Sequence, residues 1–410
     1  MRHTSTGVFA FPRDLLKSPK YHGSMSLRSH WSLDPDARFL NHGSFGACPT
    51  AIRHRQQALC QELESAPTPY MIGRLPERLD AARERVASFL KSDPRELAFV
   101  RNATEGVNAV LSSFPLQHGD EVLTTSFGYP ACLKAARRWC ESRGANLVAA
   151  PLEFPVRAPS EVLAALRKSH SARTKLLLID HVTSGTGLVF PLEEILSWAK
   201  SKSLPTLVDG AHAPGMLELN LSELGQLGAT FYTGNFHKWC CSPKGAAFLW
   251  VSPNWSEPVH PTVISHGFEG VESDRPKLWS EFDWTGTDDH SAWLCAPESI
   301  DYLEQLVEGG WSAIRQRNNE LLREGVALVD SVLKTGVEPH RDMLGMLWAL
   351  PFDGFSDNVR RLLWEQDKLD VFIAPHSMGG PSVLRLSAFL YNELDDYRRL
   401  AERLKGLGDS

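Results

Sequence analysis

Long apolar runs are missing from this chain, and no stretch of its 410 residues is long enough to cross a bilayer as a helix. Blocks of one charge sign are missing too. With 43 Lys and Arg against 49 Asp and Glu, the net charge of −6 is spread along the sequence. That excludes the basic stripe of a nucleic-acid binder and the polybasic patch that holds a protein to an anionic membrane. Cysteine is scarce and odd in number, seven in all. No CxxC pair occurs, and Cys240 and Cys241 are neighbours, too close for an ordinary bridge, so a disulfide framework is excluded and a reducing, cytoplasmic setting is expected. HxxxH and HExxH are absent, so spacing supports no metal site. No GxGxxG or GxxxxGK[ST] follows the first strand, which argues against a nucleotide-dependent Rossmann or P-loop protein. Residues 1–26 carry Arg2, Arg13, Lys17 and Lys20 but lack the apolar core of a signal peptide. They read as a leader or arm, with an organellar leader as the alternative and Met25 as a second candidate start.

What is present is a rhythm of apolar strands and amphipathic helices. PERLDAARERVASFL (76–90) places Leu79, Ala82, Val86 and Phe89 on one helical face. Strands are expected at Leu97–Val100, Glu121–Thr125, Asn146–Ala150, Lys175–Ile179 and in the runs ending at Asp209 and Gly234. Helices are expected through Val107–Leu111, around Ala131–Trp139 and over 192–202. This alternation predicts an α/β fold, a mostly parallel sheet with helices on both faces. Beyond about residue 300, a long helix (311–333), short strands at 345–350, 371–374 and 384–387, and a last helix at 393–406 predict a smaller α+β unit. The expected division is an arm at 1–37, a large domain at 38–305 and a small C-terminal domain at 306–410 that part of the arm completes. Gly309-Gly310 is the expected hinge.

Two residues stand out at strand ends. PTLVD closes on Asp209, and ATFYTG runs into His237 and Lys238. Parallel strands would deliver both to the sheet edge where α/β proteins bind ligands. An acid for a ring nitrogen and a lysine able to form an imine are what pyridoxal phosphate asks of a protein. Each residue has an ordinary alternative, a surface charge for Lys238 and a helix cap for Asp209. Lys238 lies among apolar and Gly-rich neighbours, which would desolvate it and lower its pKa. Thr104, in NATEG at a strand-to-helix turn, suits a phosphate cradle or ordinary capping. Tyr129 could stack on a ring or line the core. Ser184 could meet a phenolic oxygen or simply make a turn. Arg385, inside the apolar strand LRLSAFL, points either to a substrate carboxylate or to a structural salt bridge. His42, in LNHGSFG, is a candidate second base or a packing residue.

Together the segments FLNHGSFGACP (39–49), LPERLDAAR (75–83), RNATEGVNAVL (101–111), DHVTSGTGLVFP (180–191), VDGAHAPGM (208–216), YTGNFHKW (232–239), FDWTGTDDHSAWL (282–294) and LRLSAFLYN (384–392) resemble the class V aminotransferase family of fold-type I pyridoxal-phosphate enzymes, on its isopenicillin N epimerase-like branch. The resemblance implies a seven-stranded-type sheet with a smaller C-terminal domain. It makes Lys238 the cofactor lysine and Asp209 the ring-nitrogen partner. It places His212 near the phenolic oxygen, Ala103, Thr104, Asn235 and His237 at the phosphate, and Tyr129 on the ring. Arg385, Asn41 and His42 fall at the substrate, and Thr287 reaches a neighbouring subunit's phosphate, which implies a homodimer. Epimerisation of an amino acid or small peptide-like amine is the implied activity. The alternative is C–S lysis of a cysteine derivative, with transamination and a non-catalytic binding protein behind it. The segment 370–383 has no cysteine, so a persulfide-forming desulfurase is not expected. Asn235-Phe236 replaces the Ser-Gly that often precedes His-Lys in that family.

Overall fold

The computed structural model describes residues 26–268, 275–352, 357–375 and 382–408. Seven strands make the central sheet: β1 (Leu97–Val100), β2 (Glu121–Thr125), β3 (Asn146–Ala150), β4 (Thr174–Asp180), β5 (Thr206–Asp209), β6 (Phe231–Asn235) and β7 (Ala247–Val251). They lie in the order β1-β7-β6-β5-β4-β2-β3. All pairings among β2 to β6 are parallel, and β7 runs antiparallel to both β1 and β6. Central strands such as β5 and β6 are buried along their whole length, because helices cover both faces of the sheet and leave no side for polar alternation. Separate apolar clusters fill the two faces.

The expected strands and helices of this part form close to their anticipated bounds, and β7 is the addition. Its run AFLWV lies just beyond Lys244-Gly245-Ala246, where it reads as apolar surroundings of Lys238 rather than as a strand. Five apolar residues carry no period that separates the two.

The helix α1 (Ala103–Ser113) follows β1 and buries Val107, Val110 and Leu111 against the sheet. Truncating any of them to Ala would cost about 1–4 kcal/mol. Gly106 lets α1 come this close, since a Cβ there would lie 2.3 Å from Thr233 Oγ1 on β6. The helix α2 (Pro130–Glu141) follows β2 and turns Cys132 and Ala136 inward.

After α3 (Gly310–Leu333), strands β8 (Leu347–Pro351), β9 (Phe372–Ala374) and β10 (Val383–Ser387) form an antiparallel sheet in the order β9-β10-β8. The helix α4 (Leu394–Gly408) packs along α3. Gly309 and Gly310 both take positive φ at the start of α3. Near the other end of the chain, Arg38–Phe39 pairs in parallel with Leu369–Asp370, and Ser387 N donates to Leu40 O at 2.9 Å. The loop after β4 meets the small sheet, where Ala349 N donates to Thr186 O at 3.1 Å. These ties bring the carboxyl ends of β4, β5 and β6 against β10.

Candidate active site

β5 ends on Asp209, which is buried. One carboxylate oxygen accepts from Ala211 N–H at 3.0 Å and the other from Cys132 Sγ at 3.2 Å. The helix-cap alternative fails, because turns follow and the next helix begins only at Leu221. Among the described residues no lysine or arginine forms an ion pair with Asp209. Burial raises its pKa, against the pull of Cys132, Ala211 and the charge of Lys238. A buried carboxylate with weak donors and no cation fits a protonated ring nitrogen.

Lys238 follows β6 by three residues, and its Nζ lies 3.0 Å from His212 Nε2. Burial lowers its pKa to about 7, helped by the nearby Arg385 charge and opposed by Asp209. It is therefore half-deprotonated near neutrality, as imine formation requires. Burial, with the Lys238 charge next, holds His212 well below the ordinary histidine range. Trp239 Nε1 donates to His212 Nδ1 at 3.4 Å, so the neutral ring carries its proton on Nε2 and presents it to the amine.

The phosphate-binding candidates gather where α1 begins. Asn102 caps the helix, accepting from Glu105 N–H at 2.9 Å. Ala103 N–H donates to Asn235 Oδ1 at 2.8 Å. Thr104 is half-buried on the first turn of α1, where backbone donors and the helix dipole suit an anion. His237 Nδ1 donates to Ala246 O at 3.0 Å and leaves Nε2 free, with a pKa lowered to about 4 by burial and then by Lys238. Thr287 is exposed, one residue from Asp288, which pairs with Arg101 at 2.6 Å.

Arg385 on β10 is 2% exposed. Its guanidinium donates to Ser184 O, to Ser44 Oγ at 2.8 Å and to Asn41 Oδ1 at 3.2 Å, while Nε has no partner. It lies over the Phe372 ring at 4.1 Å. No carboxylate pairs with it among the described residues, which removes the salt-bridge alternative. Burial lowers its pKa to about 9, still leaving the group charged near neutrality. An unpaired buried cation costs several kcal/mol, which an incoming carboxylate would offset. Beside it opens a cavity of about 440 Å³ lined by Phe127, Tyr129, Ser184, Phe372 and Pro375. Tyr129 is 39% exposed there. A larger cavity of about 1470 Å³, between Val156, Leu333 and Leu404, contains none of these residues.

His42 is a correction to the expectation of substrate contact. It is fully buried, stacked on Phe389 with centroids 4.0 Å apart. Nδ1 engages Tyr391 OH at 2.6 Å and Nε2 the Lys238 carbonyl at 3.0 Å, so neither nitrogen is free for substrate. Burial takes its pKa down to about 3. Asn41 remains at the site through Arg385. Cys132 and Asp180, which touch or adjoin Asp209, escaped sequence reasoning. Their only signal was a position near a strand or helix end.

The aminotransferase class-V family model matches residues 67–400. The chain is 34% identical to isopenicillin N epimerase of Streptomyces clavuligerus over 93% of its own length and 97% of that protein's. It is 28% identical to a probable chloroplastic L-cysteine desulfhydrase of Arabidopsis thaliana, over 96% and 88% of the two chains. Among solved structures, the cystine C–S lyase C-DES, in complex with its reaction product cysteine persulfide, is similar with a TM-score of 0.77 at 18% identity, covering 90% of this chain and 98% of that one. At that identity the likeness concerns the fold.

Proposed function

The chain belongs to the aminotransferase class-V family of pyridoxal-phosphate enzymes, and on that footing we propose that it epimerises an amino acid or small peptide-like amine at the α-carbon. The observation that carries this reading is the buried trio: Lys238 with a pKa near 7, Asp209 without a cation, and Arg385 without an anion. When bound, pyridoxal phosphate supplies an electron sink for the pair left behind as the α-proton departs.

The residues divide the remaining work. Arg385 grips the substrate carboxylate through its free Nε–H, a charge-assisted contact that fixes the α-carbon. Asp209 holds the proton on the ring nitrogen. Ala103, Thr104, Asn235 and His237 seat the phosphate at the start of α1. Lys238 Nζ takes the α-proton, and His212 Nε2–H keeps that amine neutral and aimed. Inversion also needs an acid on the other face. His42 is walled off, so we assign this to Tyr129, whose phenol burial keeps protonated and which is close enough to feel the charges of Arg385 and Asp209. The exposed Thr287, with Phe45 and Ile72 exposed at 72% and 75%, suits a homodimer with shared sites.

The second reading is β-elimination on a cysteine derivative. It needs a single base, a role that Lys238, with its lowered pKa, would fill. Incubating the holoenzyme with L-amino acids and cysteine derivatives in deuterated water tests both. Epimerisation incorporates α-deuterium with loss of chirality, and Tyr129→Phe lowers inversion by about 10²-fold or more while leaving exchange at the original face. Pyruvate and a released thiol or sulfide, untouched by Tyr129→Phe, would replace epimerisation with lysis.

A further inference from the structure

Asp209 has a neighbour that the proposed reaction does not use. Asp180 closes β4 as Asp209 closes β5, and the two stand side by side in the parallel register. Residues paired in this way send their side chains to the same face of a sheet. Both are buried, 4% and 3% exposed.

Their surroundings differ in one respect that decides how the pair is charged. Asp209 receives Ala211 N–H at 3.0 Å and the Cys132 thiol at 3.2 Å, and it feels the positive charge of Lys238. Asp180 has only the backbone N–H groups of Tyr129 and of its own residue, and among the described residues no side chain donates to it. The other titratable groups packed here are Cys132 on α2, Tyr129 just before that helix and Tyr232 on β6, all held protonated by burial. His181, the residue after β4, neutral through burial, has its Nδ1 2.7 Å from Tyr232 OH. Among the described residues no cation besides Lys238 offsets a second negative charge. Two neighbouring carboxyls in a dry site do not both ionise, and the one that feels the Lys238 charge keeps its own.

We propose that Asp180 is a positioning residue for the ring-nitrogen site: its carboxyl stays protonated beside Asp209, so that the pair holds a single negative charge and Asp209 holds it. One charge then matches the single positive charge of a protonated ring nitrogen, and Asp209 is the oxygen pair offered to it. The inference rests on Asp209 as the partner of that nitrogen.

Infrared spectroscopy of the cofactor-free protein tests the pair without any turnover. A carbonyl-stretch band of a protonated carboxylic acid, shifted in deuterated water, is expected at about pH 7.5, far above the ordinary range for an aspartate. It should vanish in Asp180→Asn. In Asp209→Asn, which removes the neighbouring charge, the same band should titrate away at least about one pH unit lower than in the wild type. In the holoenzyme, Asp180→Asn replaces one neutral group by another, so the pH midpoint of the visible absorbance should stay within about 0.3 unit. Absence of the band, or its survival in Asp180→Asn, overturns the proposal. So does a band midpoint indifferent to Asp209→Asn, because burial alone would then hold the proton. A drop of about one unit or more in the Asp180→Asn absorbance midpoint would mean that Asp180 is a carboxylate. Failure to bind pyridoxal phosphate at all would sink the proposed function instead, and the infrared titration would still decide the state of the pair.

Discussion

His42 and His212 approach Lys238 to the same distance, 3.0 Å, from different parts of the molecule, and only one of them reaches its amine. Both rings are buried and both are held neutral by burial. His42 comes from the short helical turn after Arg38–Phe39 and grips the lysine's backbone carbonyl. Beside it Gly46, with φ of +67°, passes so close that a Cβ would lie 2.3 Å from His237 O. The N-terminal segment is thus a clamp behind the lysine. His212 comes from the turn after β5 and presents a proton to Nζ itself. Equal burial and equal distance therefore assign nothing, and the atom that is touched decides between scaffold and chemistry.

Changes on the two sides should separate these roles. The largest effect falls on the amine: Lys238→Ala should lower α-proton exchange by about 10³-fold or more, measured by deuterium incorporation, and residual exchange near wild type would remove the lysine from the mechanism. Next is His212→Ala. Losing a donor to the neutral amine favours the ammonium form, so the pH midpoint of cofactor capture should rise above its wild-type value. Exchange should fall by about 10- to 100-fold. An unmoved midpoint would make His212 as structural as His42.

The smallest catalytic effect belongs to His42→Phe, which keeps the stack on Phe389. It should cost about 1–3 kcal/mol in denaturant unfolding through two lost buried hydrogen bonds, with exchange within about tenfold of wild type. Its pH signature has a definite sign. Below about pH 6.5 the unfolded chain protonates His42 while the folded chain, with a pKa of about 3, does not. Stability therefore falls as pH drops from 6.5 towards 3, by about 1.4 kcal/mol per unit for this group. The Phe variant should show a shallower decline, and an unchanged slope would contradict the burial of a neutral imidazole.

Much of the fold was legible because strands buried on both faces are continuous apolar runs. The candidates Asp209 and Lys238 could be picked out because they stand at or just beyond the end of such a run. An arginine inside an apolar strand is conspicuous, although only the structure removes the salt-bridge alternative. β7 was hidden because a short apolar run after Gly245 resembles the lysine's surroundings. His42 misled because a histidine in a glycine-rich loop looks the same whether its ring serves a substrate or a backbone carbonyl. Asp180 and Cys132 meet Asp209 from a neighbouring strand and a helix, and no period in the chain records such a contact.

In the proposed function Lys238 is the residue that bonds the cofactor. Its rival is Lys244, six residues on, which burial also shifts to lower pKa but which donates to Gly46 O at 3.1 Å. Borohydride reduction of the protein loaded with pyridoxal phosphate, followed by peptide mass mapping, tests this directly. A single pyridoxyl adduct on Lys238 is expected, and an adduct on Lys244, or none on Lys238, would overturn that role.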